Sequence, residues 1–310
     1  MPLELTARDD VIGQAFLSVD LAGITPEQLA GLSAPAVAKR LIQADGREQP
    51  LGNLFDVSGQ GDGERLLLRG DLGRVHRVAA GMSFGCVHVE GTVGRHAGEG
   101  MTGGTLTVEG SAGDWLACGL QGGLVHVSGN AGDHAAAALP RHPMGAIGGL
   151  VLVEGSAGQL AGARMRRGIL AIGGDCGEAA GFELRAGTVL VAGRLAPRAG
   201  ASMKRGTIVA LGPAPDVWPA FTRGSTWQPP ILPMLLAHLA KHGWKSPAAT
   251  ARGPWQHWHG DLTTGTRGEI FCQPSARGWS GSAGGKSDVA GLRAFYAPSA
   301  FADPPSLPNC

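Results

Sequence analysis

Gly98-Glu99-Gly100-Met101-Thr102-Gly103-Gly104-Thr105-Leu106-Thr107-Val108-Glu109-Gly110-Ser111-Ala112-Gly113 is the stretch that decides the fold, because its pattern returns at a fixed interval. With Gly91, Gly110, Gly129, Gly155, Gly174, Gly193 and Gly212 set in one column, the steps are 19, 19, 26, 19, 19 and 19. A fixed period of this size is the mark of a repeat architecture. The one long step holds seven extra residues within positions 134–149, where Pro140, Arg141, His142 and Pro143 read as a loop pushed out of one repeat.

Before each column glycine, apolar residues alternate with others: Val87/Val89, Leu106/Val108, Val125/Val127, Val151/Val153, Leu170/Ile172 and Val189/Val191. A period of two in β-branched residues means a strand with one buried face. A second column, Met101, Leu120, Met165, Leu184 and Met203, supplies large apolar residues that can stack from repeat to repeat. Gly103-Gly104, Gly122-Gly123, Gly148-Gly149, Gly168 and Gly187 precede the strands, where a tight corner needs positive φ or close backbone approach. One such unit cannot bury its own face, whereas stacked units can. The expected fold is mainly β: a right-handed parallel β-helix of nineteen-residue coils.

Composition narrows the classes further. The 310 residues are 43% hydrophobic, enough for a real core, and the 52 glycines lack a collagen-like spacing. A net charge of +1 gives no electrostatic reason to expect nucleic acid. Residues 1–10 lack the basic-then-apolar order of a signal peptide. The most apolar run, residues 231–240, is half of the ~20 residues that span a bilayer. A cytoplasmic chain without membrane contact is expected. Cys86, Cys118, Cys176, Cys272 and Cys310 form no CxxC pair and read as reduced packing residues.

The flanks differ from the repeat. Residues 1–60 read as an α+β cap, with a strand at 3–5 and a helix that has Thr25 as N-cap and Pro26 at its first position, continuing through Ala34 to Ala44. The repeat occupies 61–213. A C-terminal segment, 214–272, carries an amphipathic helix over 231–242 with Pro233 early and Gly243 past its end. Residues 273–310, dominated by Gly, Ser and Pro, read as a disordered tail.

The quoted stretch, together with Arg164-Met165-Arg166-Arg167-Gly168-Ile169, resembles the C subunit of formylmethanofuran dehydrogenase and of the bacterial formyltransferase/hydrolase complex. So do Leu51-Gly52-Asn53-Leu54-Phe55-Asp56-Val57 before the first repeat and, after the last, residues 227–243, Trp258-His259-Gly260-Asp261 and Arg267-Gly268-Glu269-Ile270. The resemblance covers about residues 50 to 272. It departs at Trp258, where tyrosine would be expected, and at Arg267, where lysine would. The C-terminal domain of the glutamate synthase large subunit shares the repeat more distantly. The resemblance implies a subunit with no active site and no cofactor of its own, held beside formyltransferase and hydrolase-like or dehydrogenase-like subunits. The complex would use a methanofuran-type carrier, with a molybdenum or tungsten pterin on another subunit in the archaeal enzyme. Usage rich in Ala, Gly and Arg favours the bacterial assembly, which moves a formyl group from a tetrahydromethanopterin carrier and releases formate.

Several local patterns carry less than they suggest. Gly98-x-Gly100-x-x-Gly103 matches a dinucleotide fingerprint as a string, but a strand follows it where a helix is needed. In Gly281-Ser282-Ala283-Gly284-Gly285-Lys286-Ser287 the first glycine of a phosphate loop is replaced by Ser280. His257 and His259 form a pair without a third metal ligand. No catalytic residue is expected in the chain.

Two ladders remain as candidate sites. Arg166, Arg185 and Lys204 lie nineteen apart, with Arg167 and Arg205 in the adjacent column. They read either as a solvated face or as a track for a polyanion, such as the glutamyl chain that the resemblance gives to the carrier, or for an acidic partner. Leu152, Ala171, Leu190 and Val209 form an outward apolar stripe, to be covered by the C-terminal helix near Leu235 and Leu239 or by a partner subunit. Competing readings are a carbohydrate-active β-helix enzyme and a glutamate synthase-like structural domain. The first needs aligned carboxylates, yet Glu90 and Glu109 are followed by Ser128, Glu154 and Gly173. The second lacks any glutaminase or flavin-binding segment.

Overall fold

The computed structural model of the chain describes residues 2–8, 11–12, 18–213, 215–245, 253–265 and 267–274. It begins with β1 (Leu3–Ala7) and β2 (Val19–Asp20), followed by one 3₁₀ turn at Glu27–Leu29 and the short helix α1 (Ala34–Ala38). β3 (Leu41–Ala44) and β4 (Arg47–Pro50) then form an antiparallel hairpin. The helix expected to reach Ala44 therefore stops at Ala38. Asp45 and Gly46, at φ 48° and 74°, make the two-residue turn that joins twisted strands, and pairing of β3 with β2 and β4 overrides local helical preference. Thr25 caps no long helix either. Its carbonyl accepts the Gln28 N–H at 3.1 Å in the 3₁₀ turn, and its buried hydroxyl has no partner.

β5 (Phe55–Ser58) runs antiparallel to β1, and β1 pairs in parallel with β6 (Arg65–Arg69). β7 (Val75–His76) pairs with β2. From β6 the chain builds one ladder through β8 (Cys86–Glu90), β9 (Thr105–Val108), β10 (Leu124–Val127), β11 (Ile147–Val153), β12 (Arg167–Ile172), β13 (Thr188–Val191) and β14 (Arg205–Ala210). Every neighbouring pair is parallel. The register joins Val87, Leu106, Val125, Val151, Leu170, Val189 and Ile208, the residues whose spacing is the sequence period. The partner row at Val89, Val108, Val127, Val153, Ile172, Val191 and Ala210 is also buried, so the alternation puts both rows into the core. Met101, Leu120, Met165, Leu184 and Met203 are buried too, and Met82 extends their column by one repeat.

The corners pair as well. Leu72, Val93, Ala112, Ala131, Ala157, Cys176 and Leu195 form a second row of parallel bridges. A third row of backbone bonds includes Gly98 N–H to Val78 O at 2.8 Å, Ala117 to Ala97 at 2.7 Å and Ala136 to Leu116 at 2.7 Å. Each repeat thus satisfies its backbone groups mainly on its neighbours, as buried N–H and C=O groups require.

Gly104 and Gly123 show why glycine recurs. Their φ values are 74° and 84°, and a Cβ on Gly123 would lie 2.5 Å from the carbonyl oxygen of Gly104. Positive φ alone costs a non-glycine residue about 1–3 kcal/mol, and this contact adds to it. Gly100 also has positive φ, 63°, but open space beyond it. Gly123→Ala is therefore expected to lower the thermal midpoint well below that of Gly100→Ala in parallel calorimetry. Equal midpoints would mean that conformation, not close stacking, selects these glycines.

The long step is a local detour, as expected. After Ala138, whose N–H still bonds Ala163 O of the next repeat at 3.0 Å, the chain leaves the ladder and returns with Gly145 N–H bonded to Arg164 O at 3.0 Å and Ala146 N–H to Ala136 O at 3.0 Å. Past β14 the chain forms β15 (Thr222–Trp227), α2 (Ile231–Lys241), β16 (Trp255–Gly260) and β17 (Arg267–Cys272). β17 returns to the ladder beside β14, parallel and with Ile208 opposite Ile270. β16 pairs antiparallel to β17, and β15 antiparallel to β16. The tail expected to be disordered lies outside the described residues except for Gln273 and Pro274, and so does the Gly281–Ser287 motif.

Candidate functional site

The basic ladder lies where the corner enters the strand. The amides of Arg166, Arg185 and Lys204 donate to Ala146 O, Met165 O and Leu184 O at 2.9, 2.8 and 2.7 Å, which fixes the three residues at one position of successive repeats. Arg167 opens β12 and Arg205 opens β14. Arg166, Arg167, Arg185 and Arg205 line an open groove of about 490 Å³, floored by Gly168, Ala186 and Gly187. Lys204 shares the column but not the groove. Arg267 extends the row, for it sits opposite Arg205 in the register of β14 and β17.

Charge pairing distinguishes this face from arginines in the same repeats. Arg164 meets Glu183 at 2.9 Å, Arg194 approaches Asp175 at 4.0 Å, and Arg198 is paired with Glu178. Among the described residues, no carboxylate lies within 4.0 Å of Arg166, Arg167, Arg185, Lys204, Arg205 or Arg267. Side chains one repeat apart are about 5 Å from each other, and like charges at that range repel by ~1 kcal/mol even in water. A row of carboxylates laid in the groove would relieve that repulsion, and guanidinium groups bind carboxylates in bidentate pairs.

The apolar stripe has a cover within the chain. Leu152, Ala171, Leu190 and Val209 are all 0% exposed and form one cluster with Leu232, Leu235, Leu236 and Leu239 of α2, joined by Trp244, Trp255 and Phe271. Of the two covers expected for this stripe, the helix is the one present, so the stripe is buried core and offers a partner no surface. The i, i+3, i+4, i+7 spacing of the helix leucines gives the matching face. What stays exposed is the outer rim of α2, with Ile231 and Met234. In earlier repeats the stripe position holds His88, Thr107 and His126. His126 Nε2 lies 2.9 Å from Glu154 Oε1, and the Lys245 N–H donates to Glu154, so these polar groups moor the chain just past α2.

His257 and His259 both lie on β16, two positions apart, with rings 4.0 Å from each other. The His257 ring stacks on Phe271 at 4.4 Å and 11°, and its Nε2 lies 3.5 Å from Glu269. Burial, with help from His259, pushes the His257 pKa below its ordinary value, and His76 and His238 are lowered chiefly by burial too. A histidine lowered on folding binds protons more readily when unfolded. Its stabilising contribution is complete above the unfolded pKa of ~6.5 and is lost as pH falls through the folded one. The thermal midpoint is expected to fall from pH 7.5 to pH 5.5, with a shallower slope in His257→Gln. An unchanged slope would show that this ring is solvated.

Cys118, Cys176 and Cys272 are buried free thiols, as the packing reading requires, while Cys86 is disulfide-bonded and departs from it. Burial pushes the Cys176 thiol up to about 12.

No family model matches the chain. It is 40% identical over 77 residues to the C subunit of the formyltransferase/hydrolase complex of Methylorubrum extorquens, a match covering 25% of this chain and 29% of that protein. It is 37% identical over 77 residues to the C subunit of a molybdenum-containing formylmethanofuran dehydrogenase of Methanosarcina barkeri, covering 24% and 26%. These sequence matches thus span under a third of either relative. The structural match is wider: a chain of the crystal structure of the Methylorubrum extorquens formyltransferase/hydrolase complex, solved with methylofuran, superposes with a TM-score of 0.76 at 35% identity, covering 87% of this chain and 99% of that one. The chain belongs to the C-subunit family of these complexes.

Within that C-subunit framework the segments outside the repeat that carried the resemblance fall at the two ends of the ladder. Leu51 and Leu54 are buried just before β5, and Trp258 and Arg267 lie on β16 and β17. Arg267 was legible as part of the family signature but not as a member of the basic row, because 62 residues separate it from Arg205 and the nineteen-residue period is lost between them. Only the return of β17 to the ladder brings the two together.

Proposed function

We propose that this chain is a structural and docking subunit, without an active site of its own, of a formyltransferase/hydrolase complex in one-carbon metabolism. In this reading it works in the cytoplasm, in tetrahydromethanopterin-linked oxidation of formaldehyde to formate. The observation that carries the reading is the match of 99% of a chain in the Methylorubrum complex to 87% of this one. Its partners are then the formyltransferase subunit and the hydrolase-like or dehydrogenase-like subunits, and the carrier served is of the methanofuran type. The methylofuran bound in that complex supports the choice of carrier.

The repeat in this reading is a right-handed parallel β-helix of nineteen-residue coils, set between the cap of residues 1–60 and the segment 214–272. Three rows of pairing between successive repeats support it. The groove of Arg166, Arg167, Arg185 and Arg205 serves as a track for the glutamyl chain of the carrier or for an acidic partner surface. Its support is a run of cations without carboxylates beside arginines that have them. The exposed rim of α2, at Ile231 and Met234, adds an apolar contact on the neighbouring face.

The test is to purify the tagged full-length chain gently from its host, identify the companions by mass spectrometry and assay the pool for formyl transfer and formate release. Stoichiometric formyltransferase and hydrolase-like partners, with activity lost on deletion of this chain, are expected. A chain that purifies alone, or a deletion that leaves formate release intact, overturns the reading.

A further inference from the structure

The repeat brings three metal-binding side chains of different chemistry to one point, far in sequence from the basic groove. His96 and Glu99 lie in one repeat, and Cys118 lies nineteen residues beyond Glu99 at the same position of the next. The repeat-to-repeat bond from Gly100 N–H to Cys118 O at 2.9 Å fixes that alignment. His96 Nδ1 is 3.1 Å from Glu99 Oε2 and 3.7 Å from Cys118 Sγ, and the three donor atoms all lie within 4.8 Å of one another. The His96 ring is held by stacking on Trp115, 6.2 Å away at 7°, which in turn stacks on His134 at 4.0 Å.

We propose that His96 Nδ1, the Glu99 carboxylate and Cys118 Sγ form a binding site for a zinc-class divalent metal ion. Tetrahedral zinc with Zn–S of about 2.3 Å and Zn–N or Zn–O of about 2.0–2.2 Å places its ligand atoms roughly 3.4–3.6 Å apart. The His96–Glu99 and His96–Cys118 separations of 3.1 and 3.7 Å lie on either side of that range. The sulfur, nitrogen and oxygen set suits zinc and its transition-metal neighbours, and a thiolate disfavours magnesium and calcium.

A second observation points to a ligand. Glu99 Oε2 is buried and has no well-aligned donor, with His96 Nδ1 3.1 Å and Arg77 Nε 3.5 Å away. With the His96 proton on Nε2, the Nδ1 lone pair and this buried carboxylate oxygen face each other with no proton between them, an arrangement that is costly as it stands and is relieved by a cation at the focus. Charge also balances. Arg77 is shared with Asp20 at 3.5 Å, which leaves one carboxylate and one thiolate to neutralise a divalent ion. On binding, the thiol proton passes to solvent and the imidazole supplies its Nδ1 lone pair while its proton stays on Nε2. Three protein ligands leave a fourth position open for water, as in zinc sites with three protein ligands.

The experiment uses the full-length chain, stripped with a chelator and titrated with Co²⁺ as the probe. One equivalent bound, with a thiolate-to-cobalt charge-transfer band, is expected. Cys118→Ser is expected to abolish the band, while Cys176→Ser, a buried thiol elsewhere, keeps it. Glu99→Gln, a half-buried change that spares the thiol, is expected to keep the band and weaken affinity about tenfold or more, the loss usual for even an outer-shell partner. Should Cys118→Ser fail to fold, the Glu99→Gln affinity decides. No charge-transfer band in the parent chain, a band that survives in folded Cys118→Ser, or unchanged affinity in Glu99→Gln overturns the site.

Discussion

Leu239→Ala is expected to cost about 2–5 kcal/mol of unfolding free energy, the range for truncating a buried leucine where the surroundings cannot close the cavity. Leu239 is fully buried in the cluster that joins α2 to Leu152, Ala171, Leu190 and Val209. The ladder beneath it is rigid, since each strand is pinned on both sides by parallel pairing, so little collapse into the void is available. Urea unfolding read by tryptophan fluorescence measures the change, because Trp244 and Trp255 belong to the same cluster. Met234→Ala, on the exposed rim of the same helix, is the control and should stay within about 0.5 kcal/mol. A loss at Leu239 no larger than at Met234 would mean that the helix does not cover the stripe in solution, and a partner protein would return as its cover.

The stripe shows what sequence reasoning reaches and where it stops. Its four members follow from the period alone, because a residue between two buried strand positions must face outward. What lies on that face depends on a chain excursion of more than twenty residues between Val209 and Ile231, which no local periodicity encodes. The leucines of α2 give a helix of nearly the observed length, with Gly243 at φ 87° just past its end. Its partner is one of two choices until the structure places it.

The N-terminal helix fails for a different reason. Leu41-Ile42-Gln43-Ala44 is neutral between helix and strand, and the Asp45-Gly46 turn that follows is the signal that outweighs it. Conversely, the convergence of Glu99 with Cys118 is present in the nineteen-residue spacing from the start. It stands out only because His96, three positions before Glu99, approaches both.

Reversing charge at Arg167, Arg185 and Arg205 together is expected to abolish carrier-dependent turnover of the assembled complex while leaving the chain folded. Arg167 and Arg205 are exposed, Arg185 is half-buried, and among the described residues none has a carboxylate partner to lose, so the fold has little stake in them. Each charge-assisted contact to a carboxylate contributes about 1.5–3 kcal/mol, so Arg185→Glu alone should weaken function about ten- to a hundredfold. Lys204→Glu provides the internal contrast, for Lys204 stands in the same column yet outside the groove. A track that binds a polyanion predicts a large loss at Arg185 and a small one at Lys204, together with a weaker dependence on salt in the triple variant. Pull-down of the partner subunits separates the two ligands proposed for the groove. Loss of turnover with assembly intact assigns it to the carrier chain, and loss of assembly assigns it to an acidic partner surface. If Arg185→Glu leaves both untouched, the row is a solvated face whose repulsion is absorbed by splayed side chains and counterions.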